Sequence, residues 1–296
     1  MKIVVTGVTG FIGNAVVERL LKENHEVYVI VRSNTDTSSI SEHVYTFIDE
    51  GSTQKMQSFF QDIKPDGVLH LASLVLVNHT PDDIETLINS NILFSTRLLE
   101  ASVNSNVKWF INTGTFWQNY NDEDYNPVNL YAATKQAFED IAKYYYETQK
   151  INFVTIKLND TFGSNDTRSK IFNLWGRAVK NAENLGMSPG EQVIDISYIE
   201  NIVDAYIQLL TQLQLDNNYT YAGEVFAVNS EERMSLKDLA KVYEEVTQTS
   251  VDITWGGRSY RDREVMIPWT KGKPVPGWKQ NISLRDAIAT VMNKGK

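Results

Sequence analysis

The sequence contains no cysteine, which excludes disulfide bonds, thiolate nucleophiles and thiolate metal ligands. Its four histidines are scattered and lack the spacing of a metal site, so we expect no metal: His25, His43, His70 and His79. Basic residues are outnumbered by acidic ones, and the net charge of −9 argues against nucleic acid as a partner. The net charge does not argue against a phosphorylated ligand, because a local arginine pocket can exist in an acidic protein.

Long hydrophobic runs are also absent. No segment approaches the roughly 20 apolar residues that a membrane span requires. The N-terminus carries a strand-like run followed by a glycine turn, which is not the pattern of a signal peptide. We therefore expect a cytoplasmic protein with no membrane partner, and its 296 residues are enough to bury a large core.

The first half of the sequence is an alternation of strand-like and helical segments. Short apolar and β-branched runs predict strands at 3–5, 26–31, 45–48, 67–71, 108–112 and 153–158. Apolar residues at helical spacing predict helices at 11–22, 57–63, 84–103 and 130–148. This order predicts an α/β protein with a doubly wound parallel sheet.

The second half is less regular. We predict helices at 170–183, 200–213 and 235–247 and from Leu284 onward, with strands at 193–196 and 224–228. The pattern favours a cofactor domain at 1–165 and a smaller α/β domain for the substrate at 166–296. Some strands near 190–230 are expected to cross back to the first domain.

A glycine turn separates the first strand from the first helix. Gly7, Gly10 and Gly13 follow a G-x-x-G-x-x-G pattern. Glycines in this context let the backbone approach a pyrophosphate at the helix N-terminus, which is the arrangement of a Rossmann dinucleotide-binding domain. A tight turn without a ligand is the alternative. The predicted contacts are Gly7, Thr9, Gly10, Phe11, Ile12 and Gly13.

The second strand ends at Arg32 and Ser33. Proteins that bind NAD usually place an acidic residue here for the ribose hydroxyl, whereas an arginine can pair with the 2′-phosphate of NADP. Arg32 therefore favours NADP(H) over NAD(H). An exposed arginine without a ligand is the alternative interpretation.

Tyr131 and Lys135 lie one helical turn apart, so their side chains share a face of the helix. A neighbouring ammonium group lowers the pKa of a phenol, which would fit Tyr131 for acid–base catalysis. Thr113 lies where the strand before this helix ends, and strand ends of this kind open into the ligand crevice. Its hydroxyl could hold a substrate carbonyl oxygen there.

At this point the sequence resembles the extended short-chain dehydrogenase/reductase family over essentially its whole length. The matching segments are the glycine turn, 69–72, 91–101, Thr113, Tyr131 with Lys135, 157–163 and 194–199. The resemblance implies a triad of Thr113, Tyr131 and Lys135, with Lys135 also holding the nicotinamide ribose. It implies a homodimer formed by the two long helices. Further implied cofactor contacts are Ser33, Asp49, Leu71, Ala72, Ser73, Asn91 and Leu158.

Departures from the family pattern favour a reductase. Gly114 and Thr115 occupy the positions of the Asp-Glu pair that performs elimination in the 4,6-dehydratases, and Asp160 replaces an asparagine typical of epimerases. The segments 112–115 and 130–136 look like those of the CDP-3,6-dideoxyhexose synthases. That resemblance implies reduction by NADPH of the 4-keto group of CDP-3,6-dideoxy-4-hexulose, to CDP-abequose or CDP-paratose for O-antigen synthesis.

The nucleotide diphosphate of such a substrate needs a cation, and family resemblance directs attention to the C-terminal segment. We favour Arg258 and Arg261, although Asp262 and Glu264 also permit a surface ion-pair strip. Other expected substrate residues are Thr115, Asp160 and Arg168, with Lys170 as a secondary candidate. Phe172 or Trp175 could stack on the base, although an aromatic residue at helical spacing is more often part of the core.

Two rival functions remain. The first is an NAD(P)-dependent nucleotide-sugar epimerase, which oxidises and re-reduces the same carbon. The second is a non-catalytic sensor of NADPH. Such sensors typically lose the Tyr or the Lys, and this chain retains both Tyr131 and Lys135.

Overall fold

The computed structural model describes residues 1–292. In chain order its strands are β1 (Lys2–Thr6), β2 (Glu26–Arg32), β3 (Tyr45–Asp49), β4 (Gly67–His70), β5 (Trp109–Thr115), β6 (Asn152–Leu158), β7 (Asp160–Phe162), β8 (Leu185–Met187), β9 (Val193–Ile194), β10 (Ile196–Tyr198), β11 (Val225–Val228), β12 (Met234–Ser235), β13 (Ile253–Trp255) and β14 (Lys273–Pro274). Its α-helices are α1 (Phe11–Lys22), α2 (Thr53–Ile63), α3 (Ile84–Ile88), α4 (Phe94–Asn104), α5 (Leu130–Glu147), α6 (Ile171–Asn181), α7 (Ile199–Leu215), α8 (Leu236–Thr247) and α9 (Leu284–Met292).

Eight strands form one parallel sheet in the order β3-β2-β1-β4-β5-β6-β11-β14. The chain winds outward from β1 through β2 and β3, then returns to the other side of β1 with β4. The strand order therefore reverses between β1 and β4, and a ligand crevice opens at the carboxyl ends of strands flanking such a reversal. The predicted α/β fold with a doubly wound parallel sheet is confirmed.

Helices cover both faces of the sheet because its central strands are apolar on both sides. One buried cluster joins the sheet to α1, α6, α7 and α8, and the other joins it to α2, α4 and α5. The inner strand β1 is buried from Ile3 to Thr6. This rigid base positions the carboxyl ends of β1, β4 and β5 as neighbours.

The later part of the chain contributes to the main sheet and to three small sheets. β11 pairs with β6, and β14 pairs with β11. The small sheets are the pairs β7–β10, β9–β12 and β8–β13. The division of the chain at residue 165 stays a prediction.

Several element boundaries differ from those expected. α2 begins at Thr53 because the Ser52 hydroxyl caps it, accepting a 3.3 Å hydrogen bond from the backbone nitrogen of Lys55. The predicted helix over 84–103 contains a π-helical segment, Asn89–Leu93, between α3 and α4. Within residues 1–292, no helix is long and apolar enough to cross a membrane.

Candidate active site

The glycine turn between β1 and α1 has no room for side chains. Gly7 has a φ of +78°, and a Cβ atom there would lie 2.7 Å from the backbone nitrogen of Ala72. A Cβ at Gly13 would lie 2.1 Å from the carbonyl oxygen of Gly7. Gly10 precedes α1 and offers no side-chain cap, so the first N–H groups of this helix have no side-chain acceptor at the N-cap. This geometry suits a pyrophosphate at the helix N-terminus.

A groove of about 600 Å³ extends from this turn across the ends of β2, β3 and β4. Eight of the predicted cofactor residues line it: Gly7, Thr9, Gly10, Arg32, Asp49, Leu71, Ala72 and Ser73. Its wall also includes residues that the sequence analysis missed, among them Thr35, Phe94 and Arg97. The other predicted cofactor residues are not among the groove's lining: Phe11, Ile12, Gly13, Ser33, Asn91, Tyr131, Lys135 and Leu158.

Asn91 lies behind the groove, in the π-helical segment. Its Oδ1 accepts hydrogen bonds from the Ser73 hydroxyl at 3.1 Å and from the Leu74 nitrogen at 2.8 Å. Its Nδ2 donates to the Leu74 carbonyl at 3.0 Å and to the Thr134 hydroxyl at 2.9 Å. The side chain therefore ties the loop after β4 to helix α5. π-helical segments of this kind are frequent near functional sites.

Helix α5 presents Tyr131 and Lys135 toward the sheet. The helix begins after Asn129, whose Oδ1 accepts a 3.0 Å hydrogen bond from the Ala132 nitrogen. Tyr131 and Lys135 are both buried, and the side chains of Ser73 and Thr115 lie close enough to the phenol to lower its pKa. The structure thus joins the end of β5, the loop after β4 and the start of α5 at one point.

Thr113 has a partner within the protein that the sequence did not predict, and its expected contact with the substrate stays a prediction. Its hydroxyl shares a 2.6 Å hydrogen bond with the hydroxyl of Tyr206 on α7, and Tyr206 is fully buried. Tyr206 lies 93 residues further along the chain, so no local pattern in the sequence pointed to it. Thr115, which we expected to contact substrate, is the threonine whose side chain acts on the pKa of Tyr131.

Burial shifts the pKa values of both Tyr131 and Lys135. Burial raises the pKa of Tyr131 to about 12, while the side chains of Ser73 and Thr115 act in the opposite direction. The expectation that Lys135 lowers the pKa of this phenol is therefore wrong for the described structure. Burial lowers the pKa of Lys135 to about 8, and the charge of Glu139 opposes this change. A protonated phenol is the form that can donate a proton.

A polar network that the sequence analysis missed lies behind Lys135. Gln118 is fully buried and donates hydrogen bonds to Gln136 at 2.9 Å and to Glu139 at 3.0 Å. Lys157 donates a 2.8 Å hydrogen bond to Asn119, and its ammonium lies 4.9 Å from the ring centre of Trp269. Burial lowers the pKa of Lys157, whereas it raises the pKa of Glu139.

Gly114 packs directly against this network. A Cβ atom at this position would lie 2.9 Å from Cγ of Lys157 and 2.9 Å from Cγ2 of Thr155. It would also lie 3.0 Å from Oε1 of Gln118. The structure therefore leaves no space for a larger side chain at position 114 unless its neighbours move.

A second cavity of about 340 Å³ lies between the loop after β5 and the C-terminal segment. Of the expected substrate residues, it is lined by Asp160, Lys170, Arg258 and Arg261. Arg263 also lines it and was missed. Its guanidinium stacks 4.3 Å from the ring centre of Tyr120 and donates to Asn126. Among residues 1–292, none of the three arginines forms an ion pair.

Arg168 is not part of that cavity. Its guanidinium pairs with Asp166 at 2.7 Å, donates to the Thr161 carbonyl and hydroxyl, and stacks 4.4 Å from the ring centre of Phe11. These partners occupy its donors and hold it beside the glycine turn. Phe172 and Trp175 are core residues, buried against the ring of Tyr243.

Within the described residues, no group of three or more His, Asp or Glu side chains could hold a metal ion. The parallel sheet, the glycine turn and the buried Tyr-Lys pair define an enzyme of the short-chain dehydrogenase/reductase type that depends on NAD(P). The chain belongs to the NAD dependent epimerase/dehydratase family, whose sequence profile matches residues 3–222.

Named relatives extend over nearly the whole chain. A CDP-abequose synthase of Salmonella muenchen is 26% identical over 296 residues, which cover 99% of this chain and 97% of the relative. A CDP-abequose synthase of Yersinia pseudotuberculosis is 28% identical over 271 residues, which cover 90% of this chain and 92% of the relative. Among solved structures, a similar fold is that of UDP-glucuronic acid 4-epimerase from Bacillus cereus in complex with UDP-glucuronic acid and NAD. It is 20% identical with a TM-score of 0.81, and the match covers 99% of this chain and 98% of that one.

Proposed function

We propose that this protein is an NADPH-dependent 4-ketoreductase of a nucleotide-linked deoxy-4-keto sugar in the cytoplasm. The substrate that we favour is CDP-3,6-dideoxy-4-hexulose, and the product is CDP-abequose or CDP-paratose for O-antigen synthesis. The similarity to CDP-abequose synthases over 90% or more of the chain supports this substrate class.

The observation that carries the reaction type is the packing around Gly114. Dehydration needs a carboxyl group at this position, and Lys157 and Thr155 already fill the space that even a Cβ would occupy. The neighbouring Thr115 carries a hydroxyl and no carboxyl group. The site therefore supports reduction without elimination.

The chemistry follows from the residues around Tyr131. NADPH, when bound along the glycine turn and the groove, supplies the hydride. Tyr131 holds its proton because burial raises the pKa of the phenol to about 12, and it donates that proton to the sugar O4 as negative charge develops. Thr113 and Thr115 offer hydroxyl groups at the same strand end. Lys135 provides positive charge one helical turn away.

Arg32 supports NADPH as the cofactor. It lines the groove at the end of β2, is exposed, and forms no ion pair within residues 1–292. A free guanidinium in this position can pair with a 2′-phosphate through two hydrogen bonds.

Three arginines support a nucleotide diphosphate as part of the substrate. Arg258, Arg261 and Arg263 line the cavity beside the catalytic strand end, and Asp160 lies on its wall. Arg263 is held most firmly, because Tyr120 and Asn126 fix its guanidinium. We expect Arg263→Ala to raise KM for the nucleotide sugar by about 10-fold or more while KM for NADPH stays unchanged.

We also propose a homodimer in which α3, α4 and α5 face a second copy of the chain. Ile84, Ile88 and Tyr144 are exposed on these helices. The expected outcome of light scattering is twice the chain mass, and Ile88→Glu should shift it to the monomer mass.

An NAD(P)-dependent epimerase is the second candidate, because the similar fold of the Bacillus cereus protein belongs to an epimerase. An epimerase interconverts intact nucleotide sugars and consumes no reduced cofactor. A non-catalytic NADPH sensor is the third candidate, and the buried Tyr131–Lys135 pair argues against it.

The deciding experiment is to measure NADPH oxidation after adding CDP-3,6-dideoxy-4-hexulose, with NADH in parallel. We expect stoichiometric oxidation of NADPH, and Tyr131→Phe should lower kcat by about 10² to 10⁴-fold. Tyr146→Phe is the matched control, because Tyr146 lies at the other end of the same helix with its ring stacked on Phe153. Interconversion of nucleotide sugars without net oxidation would favour the epimerase instead.

A further inference from the structure

Arg97 is a largely enclosed cation on the wall of the cofactor groove. It projects from α4 and forms an ion pair with Asp49 at the end of β3. The exposed fractions of the two side chains are only 11% and 8%. The second oxygen of Asp49 accepts a 3.0 Å hydrogen bond from the nitrogen of Gly51. Asp49 is therefore held on both of its oxygens.

Asp49 also lies beside Arg32, so its ion pair with Arg97 affects the residue that we expect to bind the 2′-phosphate of the cofactor. β2 and β3 are parallel neighbours, and Arg32 and Asp49 are directly paired in their register. Neighbouring strands lie about 5 Å apart, and directly opposite residues project to the same side of the sheet. A carboxylate at that distance would attract the Arg32 guanidinium strongly. Yet Asp49 pairs with Arg97, and Arg32 forms no ion pair within residues 1–292.

We propose that Arg97 is a positioning residue that sets the preference for NADP(H) by keeping Asp49 away from Arg32. The pair leaves the Arg32 guanidinium available for the 2′-phosphate. It also neutralises a carboxylate that would otherwise repel that phosphate from the groove wall. The inference rests on the proposed cofactor preference and adds a residue, Arg97, to the determinants of that preference.

A purely structural ion pair is the competing explanation. Breaking a buried pair by removing one partner destabilises a protein whether or not a ligand is nearby. A structural role would weaken the binding of both cofactors alike. The proposed role changes only the ratio between them, because NADH has no 2′-phosphate.

The experiment titrates NADPH and NADH into the full chain and follows the fluorescence of the reduced nicotinamide, with no sugar present. We expect Arg97→Gln to raise Kd for NADPH by about 10-fold while Kd for NADH changes by less than about threefold. Arg97→Lys should keep the wild-type ratio of the two Kd values. The double variant Asp49→Asn/Arg97→Gln should have the wild-type ratio of the two Kd values again, because it lacks the carboxylate that competes for Arg32.

If Arg97→Gln fails to fold, the single variant Asp49→Asn still tests the proposal. The proposal expects this variant to keep or increase the preference for NADPH. The proposal would be overturned if Asp49→Asn lost the preference for NADPH. It would also be overturned if the double variant bound NADPH as weakly as Arg97→Gln does. Equal weakening of both cofactors in Arg97→Gln would also overturn it. A wild-type protein that prefers NADH would instead contradict the proposed cofactor, independently of Arg97.

Discussion

Gln118 donates a 3.0 Å hydrogen bond to the carboxylate of Glu139, and both residues lie immediately behind the Tyr131–Lys135 pair. The oxygen of the same amide accepts a 2.9 Å hydrogen bond from the backbone nitrogen of Thr115. Gln118 therefore connects the end of β5 with helix α5. It also fixes a carboxylate one helical turn after Lys135, where the negative charge favours the ammonium form of the lysine.

The first prediction concerns the dependence of activity on pH. Burial lowers the pKa of Lys135 to about 8, so the ammonium form predominates below that pH and is lost above it. Glu139→Gln removes the charge that opposes this effect, and we expect the pKa of Lys135 to fall further. The alkaline limb of kcat against pH should then move to lower pH, which a profile from about pH 6 to pH 10 would measure.

Of the other groups nearby, Lys157 also feels the charge of Glu139 and should shift in the same direction, whereas His70 does not contribute. Burial holds the pKa of His70 well below its usual value, so this histidine stays neutral over the measured range. Asp140→Asn is the matched control, because Asp140 is exposed on the same helix. An alkaline limb that does not move in Glu139→Gln would contradict the role assigned to Glu139.

The second prediction concerns the proton of the Thr113 hydroxyl. Burial raises the pKa of Tyr206, so its hydroxyl keeps a proton that it can donate to Thr113. Thr113 can then direct its own proton to the substrate oxygen. We expect Thr113→Val to lower kcat by about 100-fold and Tyr206→Phe by about 10-fold, without a change in KM for NADPH.

The two residues should act as one unit. The double variant is expected to be no slower than Thr113→Val alone, because Tyr206 acts through Thr113. Thr113→Ser should retain most of the activity. Tyr243→Phe is the control for loss of a buried phenol hydroxyl elsewhere in the core. Additive losses in the double variant would show that Tyr206 acts by another route.

The third prediction concerns the space at Gly114. Gly114→Ala should lower the free energy of unfolding by about 1 to 3 kcal/mol, because its Cβ would press against Lys157 and Thr155. Chemical denaturation measures the change. Gly186→Ala is the matched control, because its Cβ would meet no atom closer than 3.7 Å. Gly114→Asp should not gain dehydratase activity, and the appearance of such activity would refute the argument from packing.

The fourth prediction concerns Asn91. Asn91→Ala removes four hydrogen bonds and leaves the backbone N–H and C=O groups of Leu74 without their side-chain partner. We expect the free energy of unfolding to fall by about 2 kcal/mol and KM for NADPH to rise, since the loop after β4 loses its anchor. Asn104→Ala, which removes exposed hydrogen bonds at the end of α4, should change neither value appreciably. An unchanged KM for NADPH would show that Asn91 does not position the loop after β4 for the cofactor.

Elements formed by local patterns were predictable. The glycine turn, the first helix and the strands at the centre of the sheet depend on short-range periodicity and on conformations that only glycine adopts. Tyr131 and Lys135 were predictable because their spacing is one helical turn. The start of α2 was predicted four residues too late, at 57 where the helix begins at Thr53, because the cap at Ser52 was overlooked.

The sequence alone determined the fold class, the dinucleotide turn and the Tyr–Lys pair, because each depends on residues close together in the chain. Only the tertiary structure decided which side chains meet across long separations. It placed Tyr206 on Thr113, Arg97 on Asp49 and Lys157 against Gly114. It also reversed the expected direction of the Tyr131 pKa, because the cost of burying a charge depends on the surrounding protein and not on the neighbouring residues in the chain.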